Sequence, residues 1–207
     1  MKSRTNNFLS KTDILNAADQ TFRRFGPDKT SVTDVAKLLG VSHGTLYRHY
    51  PSKAALREAV TERWLEEQII IPLAELVEQA AGSPLQNLRA YVEKLIELKQ
   101  RSEAQDPELF SMYAAVTGQA TELIETHLQR IVSQLGRLVE QGRAAGVLAV
   151  DEDSEVTARC IIHATSRFHH PGHAYEWKSP ATRGEFLQLW SLLERGLVSP
   201  QAHFKAD

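Results

Sequence analysis

The stretch from Ser31 to Arg57, SVTDVAKLLGVSHGTLYRHYPSKAALR, limits the fold more than any other part of the chain. Val32, Val35, Ala36 and Leu39 recur at i, i+3, i+4 and i+7, so they line one face of a short helix. Ser31 followed three residues later by Asp34 is a capping-box start, and Gly40 supplies a stop. After Gly40-Val41, Ser42 is a favoured N-cap for a second short helix, which carries Leu46 and Tyr50 inward. That helix ends before Pro51, because proline pushes Tyr50 out of the α region. Two short helices across so tight a turn define a helix-turn-helix. No acidic residue lies between Asp34 and Glu58, whereas Lys37, Arg48, Lys53 and Arg57 are basic and His43 and His49 can be protonated. A second helix without carboxylates is what a phosphate backbone tolerates against it.

Taken with the residues before it, ILNAADQTFRRFGPDKTSVTDVAKLLGVSHGTLYRHYPSKAALREAV resembles the DNA-binding domain of the tetracycline-repressor (TetR-like) transcriptional regulators. The match covers about residues 10 to 60 and keeps the G-V-S-x-G-T-L-Y-x-H-Y signature followed by K-x-x-L, a specific combination. The rest of the chain resembles the family only in length, helical character and placement. The resemblance implies an all-α fold of about nine helices. Residues 1–55 would form a three-helix helix-turn-helix domain and residues 56–207 a helical effector-binding and dimerisation domain.

The second helix of the motif is the recognition helix by position, and its exposed side chains are His43, Thr45, Arg48 and His49. Base edges are read near the N-terminus of such a helix, which singles out His43, Thr45 and Gly44, the last permitting close backbone approach. Thr33 sits where a hydroxyl and free backbone N–H groups meet phosphate. Ser52 reads as an N-cap, placing Lys53 in the first turn of the next helix, where a cation opposes the macrodipole by roughly 0.3–1 kcal/mol. A phosphate there offsets that cost. The family resemblance implies phosphate contacts for Tyr47, His49 and Lys53, while Arg48 is left between base and phosphate. The expected DNA-facing set is therefore Thr33, Ser42, His43, Gly44, Thr45, Tyr47, Arg48, His49 and Lys53.

Charge is divided unevenly. Residues 1–57 carry ten Lys/Arg and four Asp/Glu, a balance of +6, while the remainder carries fourteen and twenty-two, a balance of −8. Nucleic acid would be met at one end only. The segment before Ser10 is polar and basic and reads as a tail, with a DNA-contacting arm as the alternative. A single cysteine, Cys160, excludes an intrachain disulfide and fits a reducing cytosol. With no apolar leader and no run approaching 18 apolar residues, a cytoplasmic protein is expected.

The remaining chain reads as helices throughout. The first runs from about Ser10 to Phe25, with Phe22 and Phe25 bracing the motif. The fourth runs from Lys53 to about Gln79, with Pro72 bending it. Further helices are expected at about 84–101, from Pro107 to Gly118, at 121–145, at 154–169 and at 180–197, with an irregular segment from Pro171 to Ser179. The last two helices are apolar on more than one face, so a second subunit is expected to cover them. The resemblance likewise implies a homodimer through a four-helix interface and a small-molecule effector site. Trp64, Phe110, Tyr113, His127, Phe168 and Trp177 are the candidates to line that site.

The cluster of His163, His169, His170 and His173 near Cys160 has no characteristic ligand spacing and is read as surface or interface, not metal. No nucleophile elbow, P-loop, dinucleotide fingerprint or H-E-x-x-H helix occurs, so neither an enzyme nor a cofactor is expected. The sequence thus reads as a DNA-binding regulator, by family habit a repressor released by an effector. The alternative is an architectural or cell-division DNA binder with the same fold and no effector.

Overall fold

The computed structural model describes residues 9–118, 121–149 and 153–198; the N-terminal segment read as tail or arm lies almost wholly outside them. The described residues fall into two compact units, one within Met1–Trp64 and Asp106–Ala120, the other within Leu65–Gln105 and Thr121–Asp207. Among them are ten α-helices and no strand, apart from an isolated antiparallel bridge between Leu148 and Val198.

In the first unit, α1 (Lys11–Phe25) and α2 (Val32–Leu39) each open with a complete capping box, Ser10 with Asp13 and Ser31 with Asp34. Gly40, in the left-handed region at φ 66°, ends α2, a conformation that would strain any side chain bearing a Cβ. Ser42 then caps α3 (His43–His49) by accepting from Thr45 N–H. Ile14, Ala18 and Phe22 of α1, Val35 and Ala36 of α2, Leu46 of α3 and Leu56 and Val60 of α4 (Lys53–Leu65) form the core. Phe25 does not brace it. The residue is 51 % exposed at the very end of α1, with the Arg24 guanidinium 5.0 Å from its ring. Because α1 stops at Gly26, no further turn covers that ring.

Helix four does not reach Gln79 as one α-helix. A π-helical turn, Glu66–Ile70, follows α4, and α5 (Ile71–Glu78) begins after it, with Ile71 N–H bonded back to Glu66 O. The wider turn makes room for Pro72, which lacks an N–H and would crowd the preceding turn of a regular helix. Both ends of the turn are held by one neighbour: Arg130 pairs with Glu66, and Gln134 Nε2 donates to Ile70 O at 3.2 Å. This division accounts for ten helices where the sequence reads nine.

In the second unit, α6 (Pro84–Gln105) and α8 (Thr121–Ala144) are joined through the Tyr91 hydroxyl, 2.9 Å from Gln134 Oε1 and 3.1 Å from Ile131 O. Gly142 of α8 is required by packing, since a Cβ there would meet Leu148 Cδ1 at 2.5 Å. α9 (Ser154–Ala164) packs on α8 and stops five residues short of the expected His169. Thr165 Oγ1 donates back to Ile161 O at 2.8 Å, and the chain tightens into a 3₁₀ turn, Ser166–Phe168. The segment expected to be irregular forms a second 3₁₀ stretch, Pro171–Glu176, fastened by Trp177 Nε1 to Arg167 O and by Arg167 to Glu176. α10 (Thr182–Leu197) follows, two residues later than expected.

α7 (Pro107–Thr117) packs with α1 in the first unit. Its N-cap residue, Asp106, makes no capping bond, and Pro107 offers no N–H to cap. The carboxylate instead accepts from Trp64 Nε1 at 3.0 Å and pairs with Arg23 at 2.6 Å, tying α4 and α1 to the start of α7. Asp106→Ala therefore strands an indole donor, while Arg23 keeps its pair with Asp19 at 2.9 Å, and should cost about 1–3 kcal/mol. Asp106→Asn keeps an acceptor for Trp64 and should cost less. Denaturant melts of both variants check the order; equal stability of all three proteins would remove Asp106 from the account.

Candidate nucleic-acid interface and ligand cavity

The α2–turn–α3 pair places most of the sequence-derived DNA-facing residues on the surface of the first unit. Thr33, Ser42, His43, Gly44, Tyr47 and Arg48 are exposed, and Thr45, His49 and Lys53 are half-buried. Within α3 the side chains organise one another. The His43 and Tyr47 rings meet edge to face with centroids 4.5 Å apart, as their i, i+4 spacing dictates. Ser42 Oγ lies 2.8 Å from Thr45 Oγ1, which also accepts from Arg48 at 3.4 Å. Gly44 has no packing reason to be glycine: a Cβ there would meet nothing within 4 Å.

Lys53 is placed differently from a free cation. Its ammonium donates to Asp28 O at 2.9 Å, while Arg57 pairs with the Asp28 carboxylate at 3.3 Å. Both bases thereby hold the loop that leads into α2, a tie that sequence spacing alone did not indicate. Asp34, the nearest acid to the motif, is occupied by the Ser31 capping box, whose hydroxyl and backbone N–H hold its carboxyl below the usual carboxylate range.

The six residues expected to line an effector site divide between the units. Trp64, Phe110 and Tyr113 belong to the first, where Tyr113 lies 5.9 Å, centroid to centroid, from both of the others. His127, Phe168 and Trp177 belong to the second. Phe168 and Trp177 wall a cavity of 310 Å³ between α6 and the start of α10. His127 does not line it. Sequence reading missed the cavity's other walls, Ile96 and Gln100 of α6 and Arg183 and Phe186 of α10.

His127 belongs instead to a buried polar cluster. Its Nε2 lies 3.2 Å from Lys99 Nζ, and Lys99 is 2 % exposed. Burial pushes Lys99 down to about 7. Burial first and the Lys99 charge second hold His127 well below its ordinary value. The same two causes, in the same order, lower His169 to about 3, and its ring nitrogen lies 3.2 Å from Thr165 Oγ1. The signal for Lys99 was present in the sequence: it occupies an inward position in the apolar stripe of α6. His163 and Cys160 are exposed. No group of three or more potential metal ligands forms among the described residues.

Comparison with known proteins gives these features a context. Residues 14–60 match the family described as bacterial regulatory proteins, tetR family, and residues 84–190 match the tetracyclin repressor-like C-terminal domain. The chain therefore belongs to the TetR family of transcriptional regulators, proteins that control transcription and are not enzymes. Among curated relatives, RutR of Escherichia coli (strain K12) is 36 % identical over 102 residues, 49 % of this chain and 46 % of that protein. The nucleoid occlusion factor SlmA of Marinomonas sp. (strain MWYL1) is 27 % identical over 136 residues, 63 % of this chain and 66 % of that protein. An uncharacterised HTH-type regulator of Mycobacterium tuberculosis (strain H37Rv) is 36 % identical over 75 residues, 35 % of this chain and only 37 % of that protein. The chain thus matches between about a third and two thirds of these relatives' lengths. The fold is shared with a TetR-family regulator from Pectobacterium atrosepticum (TM-score 0.68, 22 % identity, 95 % of this chain and 98 % of that one). It is also shared with FadR of Bacillus subtilis, solved with stearoyl-CoA (TM-score 0.61, 17 % identity, 90 % and 99 %). No helix among the described residues is long and apolar enough to cross a membrane.

The buried cluster generates a pH signature. The unfolded chain binds a proton on Lys99 up to about pH 10.4, the folded chain only to about 7. Between those values the unfolded state holds more protons, so stability rises with pH there and is lost as pH falls toward 7. Below about 6.5 the depressed histidines add a further loss in the same direction. Chemical denaturation at pH 7 and pH 10 should show Lys99→Met losing a pH dependence on the order of a few kcal/mol relative to wild type. Parallel pH profiles for the two proteins would contradict the burial of Lys99.

Proposed function

We propose that this protein represses transcription as a homodimer that binds a roughly palindromic operator through α2 and α3. The observation that carries the reading is the exposed, acid-free face of α3, with a glycine at its centre that internal packing does not require. His43, Gly44 and Thr45 read base edges, while Thr33, Ser42, Tyr47, His49 and Lys53 position the phosphate backbone and Arg48 serves either role. Lys53 and Arg57, by holding the Asp28 loop, also fix where α2 begins.

Exposed stripes on the last two helices support a two-fold interface. Val156, Cys160, His163 and Ala164 face outward on α9, and Leu187, Gln188, Ser191 and Leu192 on α10. Val156 is 49 % and Leu192 61 % exposed, an outlay of apolar surface that a second copy would cover. Such a dimer presents two recognition helices about one DNA turn apart, roughly 34–36 Å. An effector bound in the second unit favours a dimer whose recognition helices no longer fit two successive grooves. That FadR binds stearoyl-CoA on the same fold supports a ligand-binding role for this unit.

The similarity to the nucleoid occlusion factor SlmA, which spans more of the chain than that to RutR, favours the second reading: an architectural or cell-division DNA binder without an effector. Selection of bound duplexes from a random library at two salt concentrations separates the two. A single palindrome surviving the higher salt supports the repressor, whereas motif-free binding that vanishes with salt sinks it. With the selected duplex, Lys53→Ala should weaken binding and reduce its salt slope by about one unit, whereas Tyr47→Phe should weaken binding with the slope unchanged. His43→Ala should relax base preference at one position. Leu192→Glu should shift sedimentation from dimer to monomer; a variant that sediments as wild type would move the interface elsewhere.

A further inference from the structure

We propose that the cavity between α6 and α10 is the effector site, and that it takes a compact apolar molecule carrying one carboxylate. This deepens the reading of the second unit as the effector-binding one and rests on it. At 310 Å³ the cavity lies at the small end of small-molecule sites, roughly 300–1,000 Å³. Phe168, Trp177 and Phe186 wall it, with Ile96 on the α6 side. Phe168 and Phe186 stand edge to face at 5.5 Å, a rigid apolar surface suited to a flat body.

The polar groups around it set the sign of the ligand. Trp177 Nε1 and Thr182 Oγ1 are committed to backbone carbonyls, Arg167 O and Glu176 O, and Gln100 Nε2 is committed to Phe168 O. Two charged residues line the cavity, Glu93 and Arg183. Glu93 is already matched: its Oε1 accepts from Arg89 Nε and Nη2 at 3.3 and 3.2 Å. Arg183 approaches the same oxygen only to 3.8 Å, beyond hydrogen-bond reach, and its side chain is 74 % exposed. One carboxylate is thus set against two guanidiniums, Arg89 and Arg183, and Arg183, held to Glu93 only by a long ion pair, is the one placed to meet a ligand carboxylate through two parallel N–H donors. α10 begins at the same place without a side-chain cap, so its N-terminal partial charge adds to that of Arg183.

Calorimetric titration of the full-length protein with 2-naphthoate, 2-naphthamide and 2-naphthylmethylammonium tests the assignment. The carboxylate should bind at least about tenfold more tightly than the amide, and the ammonium most weakly. Arg183→Gln, on an exposed side chain, should bring the carboxylate down to the level of the amide. Ile96→Trp, once its melting curve shows a folded protein, should abolish binding of all three. Absence of binding by all three at millimolar concentration, equal affinities, or a carboxylate preference that survives Arg183→Gln would overturn the proposal. DNA release is scored separately. Naphthoate that binds the cavity without loosening the operator contradicts the effector assignment, although the repressor reading survives. Naphthoate that still releases DNA from Ile96→Trp contradicts the cavity alone.

Discussion

The orientation of α3 depends on the backbone at Gly40. A residue at φ 66° ends α2, and two residues later Ser42 opens α3, so the turn leaves almost no freedom between the helices. Capping boxes at Ser10 and Ser31 fix where α1 and α2 begin, and Leu46 and Tyr50 anchor α3 on the shared core. What remains exposed on α3 is then determined by helical geometry: His43 and Tyr47 on one side, Arg48 beside the half-buried Thr45 on the other, and Gly44 between. The loop before α2 is held from behind by Lys53 and Arg57, so the angle of the motif and its charge come from the same side chains.

Much of this was legible because the motif is local. Caps, turn residues and the i, i+3, i+4 stripe all act within a few residues, and they located α1 to α3 to within one residue. Legibility failed where a partner distant in sequence decides the outcome. The π turn at Glu66–Ile70 is set by Pro72 together with Arg130 and Gln134 of α8. The early end of α9 follows from Thr165 turning its hydroxyl onto Ile161 O. The place of α7 with the first unit depends on Asp106 accepting from Trp64 and Arg23, which the sequence boundary at 55/56 does not anticipate. Of the aromatic residues named from sequence for an effector site, only Phe168 and Trp177 border the cavity, because an apolar stripe records burial and not what a residue is buried against.

The second unit keeps its polar groups in two environments. Lys99, His127 and His169 lie inside the helices, where burial favours their neutral forms and makes stability depend on pH. Arg183 stands at the rim of an aromatic cavity, largely exposed and 3.8 Å from Glu93 Oε1. Groups of the first kind specify packing; the second kind lies where the proposed ligand would meet it.

The most direct test of the DNA-binding account measures the thermal stability and the operator affinity of Gly44→Ala in the same preparation. An added Cβ meets nothing within 4 Å, and alanine favours the helix by roughly 0.5–1 kcal/mol, so the melting temperature should stay level or rise. If the backbone at Gly44 closes on the major groove, affinity for the selected duplex should nevertheless fall by about tenfold or more, about 1.4 kcal/mol. A variant as stable as wild type that binds the duplex equally well would show that α3 does not approach DNA at this point, and the account of the interface would fail.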